Sequence, residues 1–391
     1  MEINKIGVYI HIPFCARKCR YCGFLSFPGY PPEMYEAYVD AAVSELKSFN
    51  EGFTGKYTAD TVFIGGGTPS LLSGEQISRL IEAVRDTLGI VEDAEITMEA
   101  NPNSLTREKL EAYRAAGVTR LSMGAQSFSD RVLDSLGRVH KAADIGRAFR
   151  QARQAGFDNI NLDLMFAVPD QTMEDLEDSL RQAVRLGPEH ISLYGLQLEE
   201  DTIFYEEYKS GIIDLPDEKD EEAMYHAAVK ILTEAGYAHY EISNYAKPGY
   251  ECRHNLKYWE MGDYIGIGPG AHSYVRGSAP AGERRSNVTD LSEYIELASN
   301  GRPATDRESR VVDSKSDAMA VFVFTGLRKL EGIDLGEFER RFGNSFFSVY
   351  KDRADVIKMY MDSGMMKLSG NRLAITEKGI YISNDIMSEF V

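Results

Sequence analysis

The 391-residue chain is short of cysteine, tryptophan, positive charge and long apolar runs. Its 43 lysine and arginine residues face 61 aspartate and glutamate residues, which leaves a formal net charge of −18. This charge repels phosphate backbones and anionic lipid, so we expect no nucleic-acid partner. No apolar run approaches the roughly 18 to 20 residues that a membrane-spanning helix needs, so we expect no direct membrane insertion. The N-terminus lacks the pattern of a secretion signal, and we therefore expect a cytoplasmic protein.

The scarce residues are not spread evenly. Three of the four cysteines, Cys15, Cys19 and Cys22, fall within eight positions, and Cys252 is far downstream. The single tryptophan, Trp259, follows Cys252 by seven residues. In the cytoplasm, closely spaced cysteines indicate metal ligation or catalysis before disulfides.

Short apolar runs alternate with segments of helical period up to about residue 245, a pattern typical of repeated strand–helix units around a parallel sheet. The predicted strands cover residues 7–12, 61–64, 95–99, 120–123, 159–166 and 190–194. The predicted helices cover residues 32–49, 74–88, 106–116, 141–155 and 172–186. Six such units predict an α/β fold, a partial (β/α)6 TIM-like barrel.

The remaining chain predicts two further parts. Residues 246–300 are rich in Gly, Pro, aromatics and His, which indicates an irregular connecting region after a barrel at 1–245. Residues 301–391 predict a mainly helical domain with two short strands about the turn Gly370-Asn371. Helices with a small hairpin resemble a winged-helix module, although the acidic balance argues against DNA binding.

Polar or special residues follow the predicted strands at one end. The cysteine loop follows the first strand and Gly65-Gly66-Gly67-Thr68-Pro69 the second, and Glu99, Gln126 and Asp163 lie at or near the ends of later strands. Parallel barrels build their active sites from the loops at the C-terminal ends of their strands, so we expect these residues to share one mouth.

The cysteine loop admits two metal sites. Three thiolates can hold one face of an iron–sulfur cubane and leave one iron without a protein ligand. A tetrahedral zinc site is the alternative, with His11 or Cys252 as the fourth ligand.

The loop from Tyr9 to Cys22 resembles the C-x3-C-x2-C signature of the radical S-adenosylmethionine superfamily. The resemblance implies that Cys15, Cys19 and Cys22 hold a 4Fe-4S cluster whose fourth iron binds the methionyl group of S-adenosylmethionine. The Gly65-Gly66-Gly67 run is similar to the superfamily's glycine motif, which lets the backbone approach that methionyl group closely.

Over nearly its whole length, the chain resembles the oxygen-independent coproporphyrinogen oxidases and their relatives, the HemW-type heme chaperones. The resemblance implies contacts with S-adenosylmethionine at Tyr9, Tyr21, Gly66, Gly67, Thr68, Glu99, Gln126, Arg138 and Asp163. Carboxylates suit ribose hydroxyls and an ammonium group, and arginine suits a carboxylate.

Two features separate the chaperone branch from the oxidases. The oxidases carry a further cysteine two positions after the third one, where this chain has Phe24, and they have a longer N-terminal segment than the fourteen residues before Cys15. The run from His254 to Trp259 also resembles the H-N-x-x-Y-W motif of the chaperones, which implies heme contact at His254, Asn255, Tyr258 and Trp259. A buried structural histidine with Trp259 as a domain-interface anchor is the other interpretation, and His272 and Cys252 are further candidate contacts.

The predicted function is therefore a cytoplasmic heme chaperone that binds heme, a 4Fe-4S cluster and S-adenosylmethionine, and delivers heme to respiratory membrane proteins. A homodimer is compatible with this interpretation. The alternative is a coproporphyrinogen III oxidase, which decarboxylates two propionates by radical hydrogen abstraction. A radical methyltransferase or cyclase is a third class with little support.

Overall fold

Six parallel strands form the centre of the computed structural model, which describes residues 4–49, 56–276 and 282–391. They are β1 (Asn4–Ile12), β2 (Tyr57–Gly66), β3 (Ile90–Ala100), β4 (Arg120–Gln126), β5 (Asn159–Phe166) and β6 (His190–Gly195). They pair in chain order, as in a barrel. The six predicted strands and the predicted partial barrel are confirmed.

Helices follow the strands and cover the outer face of the sheet. They are α1 (Pro32–Ser48), α2 (Gly74–Leu88), α3 (Arg107–Ala116), α4 (Asp130–Ser135), α5 (Ala142–Gln154), α6 (Met173–Leu186), α7 (Ile203–Lys209) and α8 (Glu218–Glu234). Side chains alternate along a strand, so Val8 and Ile10 of β1 point outward and are fully buried. Tyr9 and Phe63 alternate with such residues, point inward and are only half-buried. The interior of the barrel is therefore not fully packed around Tyr9 and Phe63.

The sheet extends beyond the barrel at both edges to twelve strands. Strand β8 (Asn244–Ala246) pairs antiparallel with β6, and β7 (Ala238–Glu241) pairs antiparallel with β8. Strand β9 (Tyr264–Ile267) pairs parallel to β1, and β10 (His272–Val275), β11 (Glu283–Ser286) and β12 (Val311–Val312) continue from it in antiparallel order.

The segment 246–300 differs from the predicted irregular connection. It contains α9 (Arg253–Trp259), strands β9 to β11 and α10 (Leu291–Ser299). Irregular structure is a wrong prediction here because the short strands bond to the edge of the barrel sheet, and their own sequence carries only a weak signal. The domain boundaries after residues 245 and 300 stay predictions.

The C-terminal part is helical around a small sheet, as predicted. Its helices are α11 (Lys315–Gly326), α12 (Leu335–Phe342), α13 (Phe346–Val349), α14 (Ala354–Asp362), α15 (Glu377–Ile380) and α16 (Ser383–Ser388). Strands β14 (Met366–Ser369) and β15 (Arg372–Ile375) form the predicted hairpin, and β13 (Ile333–Asp334) pairs with β15.

One continuous apolar core joins the barrel to the C-terminal part. It includes Ile6 of β1, Tyr245 of β8 and Phe338 of α12. Within the described ranges, no helix is long and apolar enough to cross a membrane.

Candidate functional site

The cysteine loop leaves the C-terminal end of β1 and is held by its neighbours. Arg20 donates to the Ser135 carbonyl at 2.9 Å, and its own carbonyl accepts from the Phe204 backbone N–H at 3.0 Å. Tyr21 packs against a small apolar cluster that contains Leu136 and Phe204. The loop is thus fixed by contacts with α4 and α7, which lie far from it in sequence.

Cys15, Cys19 and Cys22 are partly exposed on this loop. The Thr68 hydroxyl lies 3.6 Å from the sulfur of Cys15, and Nη1 of Arg138 lies 3.4 Å from the sulfur of Cys19. Burial raises the pKa of the Cys22 thiol. A guanidinium beside a thiol offsets the negative charge that three metal-bound thiolates bring, so these residues fit the ligands of an anionic cluster.

The two residues that the zinc alternative requires are engaged elsewhere. Nδ1 of His11 bonds to the Tyr9 hydroxyl at 3.0 Å, and Nε2 bonds to the Leu25 carbonyl at 2.8 Å. Cys252 is buried near Glu95 of β3, on the side of the barrel away from the cysteine loop. In the ranges that the structure describes, no three His, Cys, Asp or Glu side chains converge on a single ion. A tetrahedral zinc site needs such convergence, whereas a cubane takes each thiolate at a different iron.

The glycine loop after β2 is tied to the cysteine loop through its backbone. The N–H groups of Gly67 and Thr68 donate to the carbonyls of Ile12 and Phe14 at 2.8 and 2.7 Å. Gly66 has a φ of +108°, and a Cβ there would lie 2.5 Å from Nδ1 of His11. Only glycine fits this position without displacing His11.

Two carboxyl groups lie inside the barrel below these loops. Glu99 accepts from the Gly66 N–H at 3.0 Å, and Asp163 accepts from the Asn161 amide at 2.7 Å and the Ser122 hydroxyl at 3.3 Å. Burial and the nearby charge of Asp163 raise the pKa of Glu99 to about 8. The two acids are close enough that one holds its proton at neutral pH.

Gln126 and Arg138 meet at the end of β4. A Cβ on Gly124 would lie 3.0 Å from the Gln126 amide nitrogen and 3.1 Å from Nη2 of Arg138. Arg138 donates to the Gly124 carbonyl at 2.8 Å, but its buried Nε has no partner among the described residues. The residue pair therefore keeps a hydrogen-bond donor available next to the cysteine loop.

The predicted nucleotide residues are thus brought together at one end of the barrel or just inside it. The pKa of Tyr9 and of Tyr21 is raised, chiefly by burial, so both hydroxyls stay protonated. The group comprises Tyr9, Tyr21, Gly66, Gly67, Thr68, Glu99, Gln126, Arg138 and Asp163.

The predicted heme motif lies at the other end. Helix α9 carries the motif. Glu95 of β3 accepts from the N–H groups of Arg253 and His254 at 3.0 and 3.1 Å, and these bonds hold the helix across the end of the barrel where the strands begin. A Cβ on Gly7 would lie 2.8 Å from the Lys257 side chain. The structure does not place this helix next to the cysteine loop.

His254 is fully buried in this closure. Its Nδ1 bonds to the Thr61 hydroxyl and its Nε2 to the Tyr258 hydroxyl, both at 2.8 Å. Burial lowers its pKa to about 3, so the ring is neutral. Direct heme contact by His254 requires these bonds to break, so the heme contact stays a prediction beside the interpretation of a buried structural histidine.

The other motif residues keep accessible surface. Asn255, Tyr258 and Trp259 are half-buried, and the Trp259 ring packs under the Arg328 guanidinium, whose carbon lies 4.5 Å from the ring centroid. Trp259 thus contacts the start of the C-terminal part, as the interface interpretation expects. His272 lies on β10 with an exposed side chain, remote in the sheet from β6.

A hydrogen-bonded chain connects the two ends through the barrel interior. Asn161 bonds to both Asp163 and His190, with 2.7 Å from its Oδ1 to Nδ1 of His190. Nε2 of His190 bonds to the Tyr240 hydroxyl at 2.8 Å, which accepts from the Cys252 N–H at 3.2 Å. Sequence reasoning missed these interior residues because each one alone looks like an ordinary strand or loop residue.

Family models match both parts of the chain. Residues 9–183 match the radical SAM superfamily, and residues 313–382 match the HemN C-terminal domain. The solved structure of coproporphyrinogen III oxidase (HemN) from Escherichia coli, a radical SAM enzyme, has a TM-score of 0.85 at 24% identity and covers 99% of this chain and 90% of its own. Its fold is the fold found here. The chain is a radical SAM protein.

Full-length relatives identify the family within this superfamily. The heme chaperones HemW of Bacillus subtilis and Escherichia coli are 37% and 36% identical to this chain, cover 98% and 100% of it, and are themselves covered to 99%. The HemW of Lactococcus lactis is 34% identical over 98% of the chain and 97% of its own length. The chain belongs to the HemW heme-chaperone family.

Proposed function

We propose that this protein is a heme chaperone that holds a 4Fe-4S cluster and S-adenosylmethionine at the cysteine-loop end of the barrel and passes heme to respiratory membrane enzymes. The main support is the cysteine loop, which carries three thiols and Phe24 in place of a fourth, in a chain whose full-length relatives are named heme chaperones. Phe24 is 69% exposed beside Cys22, so this position has no metal-binding atom and no packing role.

The cluster belongs on Cys15, Cys19 and Cys22. When bound, it supplies an open iron that can take an amine and a carboxylate from a ligand. The chain itself supplies the positive charge of Arg138 next to Cys19 and the Thr68 hydroxyl next to Cys15. These groups stabilise the extra negative charge of the thiolates.

S-adenosylmethionine belongs on the residues around this iron. Arg138 suits its carboxylate, and Glu99 and Asp163 suit its ammonium group and ribose hydroxyls. Gly66 and Gly67 leave room for the ligand, and Gln126, Thr68, Tyr9 and Tyr21 line the same end.

Heme is the cargo. Tyr258 and Trp259 offer flat apolar surface, and Asn255 offers a polar contact, while His254 holds Tyr258 in place through its hydrogen bond. We place the protein in the cytoplasm, where its acidic surface meets the membrane through a protein acceptor. A homodimer is part of the proposal and is checked by sedimentation of the loaded protein.

The test compares binding with turnover. Anaerobically reconstituted protein is titrated with hemin, and we expect a saturable Soret shift and transfer of the bound heme to a heme-depleted respiratory enzyme. The same preparation, given coproporphyrinogen III, reductant and S-adenosylmethionine, should form no protoporphyrinogen. Robust turnover with no saturable hemin binding would identify an oxidase and overturn the chaperone proposal.

A further inference from the structure

Arg328 follows α11 and is fixed at the edge of the barrel sheet by its main chain. Its carbonyl accepts from the Ile242 N–H at 3.1 Å, and the Leu330 N–H donates to the Tyr240 carbonyl at 3.0 Å. Lys329 forms a bridge with Glu241 between these two bonds. The side chain of Arg328 therefore starts from a defined position next to β7.

The Arg328 guanidinium is stacked but unpaired. It lies over the Trp259 ring at 4.5 Å, and no hydrogen bond or ion pair joins it to any residue in the described part of the chain. Its Nε and the Nε1 of Trp259 are both buried without a partner there. Buried donors of this kind cost free energy unless something accepts from them.

The adjacent Lys329 shows that carboxylates are available in this region. Its ammonium pairs with Glu260 at 3.1 Å and with Glu331 at 3.0 Å. Glu241 lies near Arg328 but bonds to Asn244 and to the Ser243 N–H, and its Oε2 has no partner in the described ranges. Arg328 thus has one acid nearby, Glu241, but forms no ion pair with it.

Arg328 is also connected to the barrel interior. The Tyr194 hydroxyl is close enough to interact electrostatically with Arg328, and the pKa of Tyr194 is raised by burial and further by Asp163, Glu241 and Glu99, in that order. Tyr194 lies near the C-terminal end of β6 and is 40% exposed, so a ligand can contact it. A ligand on the exposed side of Tyr194 therefore lies within the electrostatic range of Arg328.

We propose that Arg328, stacked on Trp259, binds a propionate carboxylate of the tetrapyrrole that this protein carries. Stacking on an aromatic face leaves the N–H groups at the edge of a guanidinium free for two parallel bonds to a carboxylate. This inference rests on the proposed function. It places the propionate end of the ligand at Arg328 and directs the macrocycle towards Tyr194.

The experiment compares hemin with hemin dimethyl ester, whose propionates carry no charge. Dissociation constants are measured by Soret titration for the reconstituted chain, Arg328→Gln, Arg328→Lys and the exposed control Arg150→Gln on α5. A lost charge-assisted contact is expected to weaken hemin binding by Arg328→Gln roughly ten- to hundredfold. The ester should bind Arg328→Gln as it binds the unchanged chain, and Arg328→Lys should retain part of the hemin affinity.

Two results overturn the inference alone. Hemin binding that Arg328→Gln leaves unchanged shows that no carboxylate contacts Arg328. An equal loss for hemin and for its dimethyl ester shows that Arg328 only supports the structure around Trp259. Failure of the unchanged chain to bind hemin is a different result, because it overturns the proposed function itself.

Discussion

Among single residues, Glu99 and Asp163 stand out because two acids share the barrel interior below the glycine loop. Their hydrogen bonds come from neutral donors, namely a backbone N–H, an amide and a hydroxyl. Burial therefore dominates, and the pKa of both acids is raised. An ammonium or hydroxyl ligand in this place would relieve the repulsion between them, as expected for the proposed nucleotide site.

Glu99→Gln should change how stability depends on pH. Burial raises the pKa of Glu99 from its usual value of 4.5 to about 8, so its contribution to stability is fully present below pH 4.5 and is lost as the pH rises towards 8. The variant lacks this loss, at most about 1.4 kcal/mol per pH unit. In urea unfolding between pH 5 and 8, the free energy of unfolding of Glu99→Gln should increase relative to that of the unchanged chain as the pH rises. The exposed control Glu75→Gln should keep a constant difference, and a constant difference for Glu99→Gln would contradict the assignment.

Cys19→Ala should abolish the visible iron–sulfur absorbance of the reconstituted protein. Removal of one of three thiolates leaves two irons without a protein ligand. Cys252→Ala is the matched control, because Cys252 lies near Glu95 at the other end of the barrel, and it should retain the absorbance. Stoichiometric zinc in place of iron after anaerobic preparation would refute the cluster.

The residues that sequence reasoning found are those in local patterns. The cysteine spacing, the glycine run and the acids at strand ends can be read without the fold. Arg328 cannot, because it stands beside Lys329 just after a helix and looks like one of a pair of surface cations. Only the tertiary structure shows that Lys329 forms two ion pairs, whereas Arg328 has Glu241 nearby but forms no ion pair within the described residues. The partners of His254 could not be predicted for the same reason, since one hydroxyl comes from β2 and the other from its own helix.

At the scale of elements, α9 is the part that departs most from an ordinary barrel. It is seven residues long, yet its N-terminal N–H groups bond to Glu95 and its His254 ring lies 5.3 Å from the ring of Phe63 inside the barrel. An acid at a helix N-terminus is a favourable arrangement. The helix therefore serves as a floor for the barrel interior.

Gly7→Ala should destabilise the contact between β1 and this floor. The added methyl group would lie 2.8 Å from Lys257, 3.1 Å from Thr61 and 3.2 Å from His254. Overpacking of this kind costs about 1–3 kcal/mol, measurable by urea unfolding. Gly146→Ala is the control, since on α5 only the flexible Arg150 is near. We expect the control to gain stability, by about 0.5–1 kcal/mol. Equal effects of the two substitutions would rule out a close packing of α9 on β1.

The strands and long helices were predictable because their own periodicity encodes them, as in α2 with its apolar stripe and Ser73 cap. Strands β9 to β12 were not, because two to four residues carry little signal and the edge of β1 supplies their partner. Helix α9 was equally hard to predict. It has no apolar face of its own, and its polar side chains are buried only because the helix packs against the interior of the barrel.

At the scale of the whole molecule, one apolar core runs through the barrel and the C-terminal part. Main-chain bonds reinforce it, since Ile242 donates to Arg328 and Leu330 donates to Tyr240. The protein therefore has no thin linker at which the C-terminal part would separate from the rest of the described chain.

Unfolding should consequently be cooperative. Trp259 is the single tryptophan, and it lies where α9 meets Arg328, so its fluorescence reports that contact directly. We expect the fluorescence and far-ultraviolet circular dichroism transitions in urea to coincide. Ellipticity does not depend on any one contact and serves as the reference. A fluorescence change at clearly lower urea would mean that the C-terminal part detaches first.

The floor formed by α9 also limits how this barrel could be shortened or exchanged in evolution. A chain cut after residue 245 would keep every strand of the parallel barrel but would lose the segment that covers Arg120 and Glu95. Both residues are buried in the complete chain, and Glu95 would lose its backbone donors from residues 253 and 254. The cut would also expose the barrel interior to water, including the Phe63 ring that lies against His254, and the exposure of apolar surface is unfavourable. The barrel strands and helices therefore do not form an independent structural unit. A recombination event that preserves the barrel must also preserve residues 250–276.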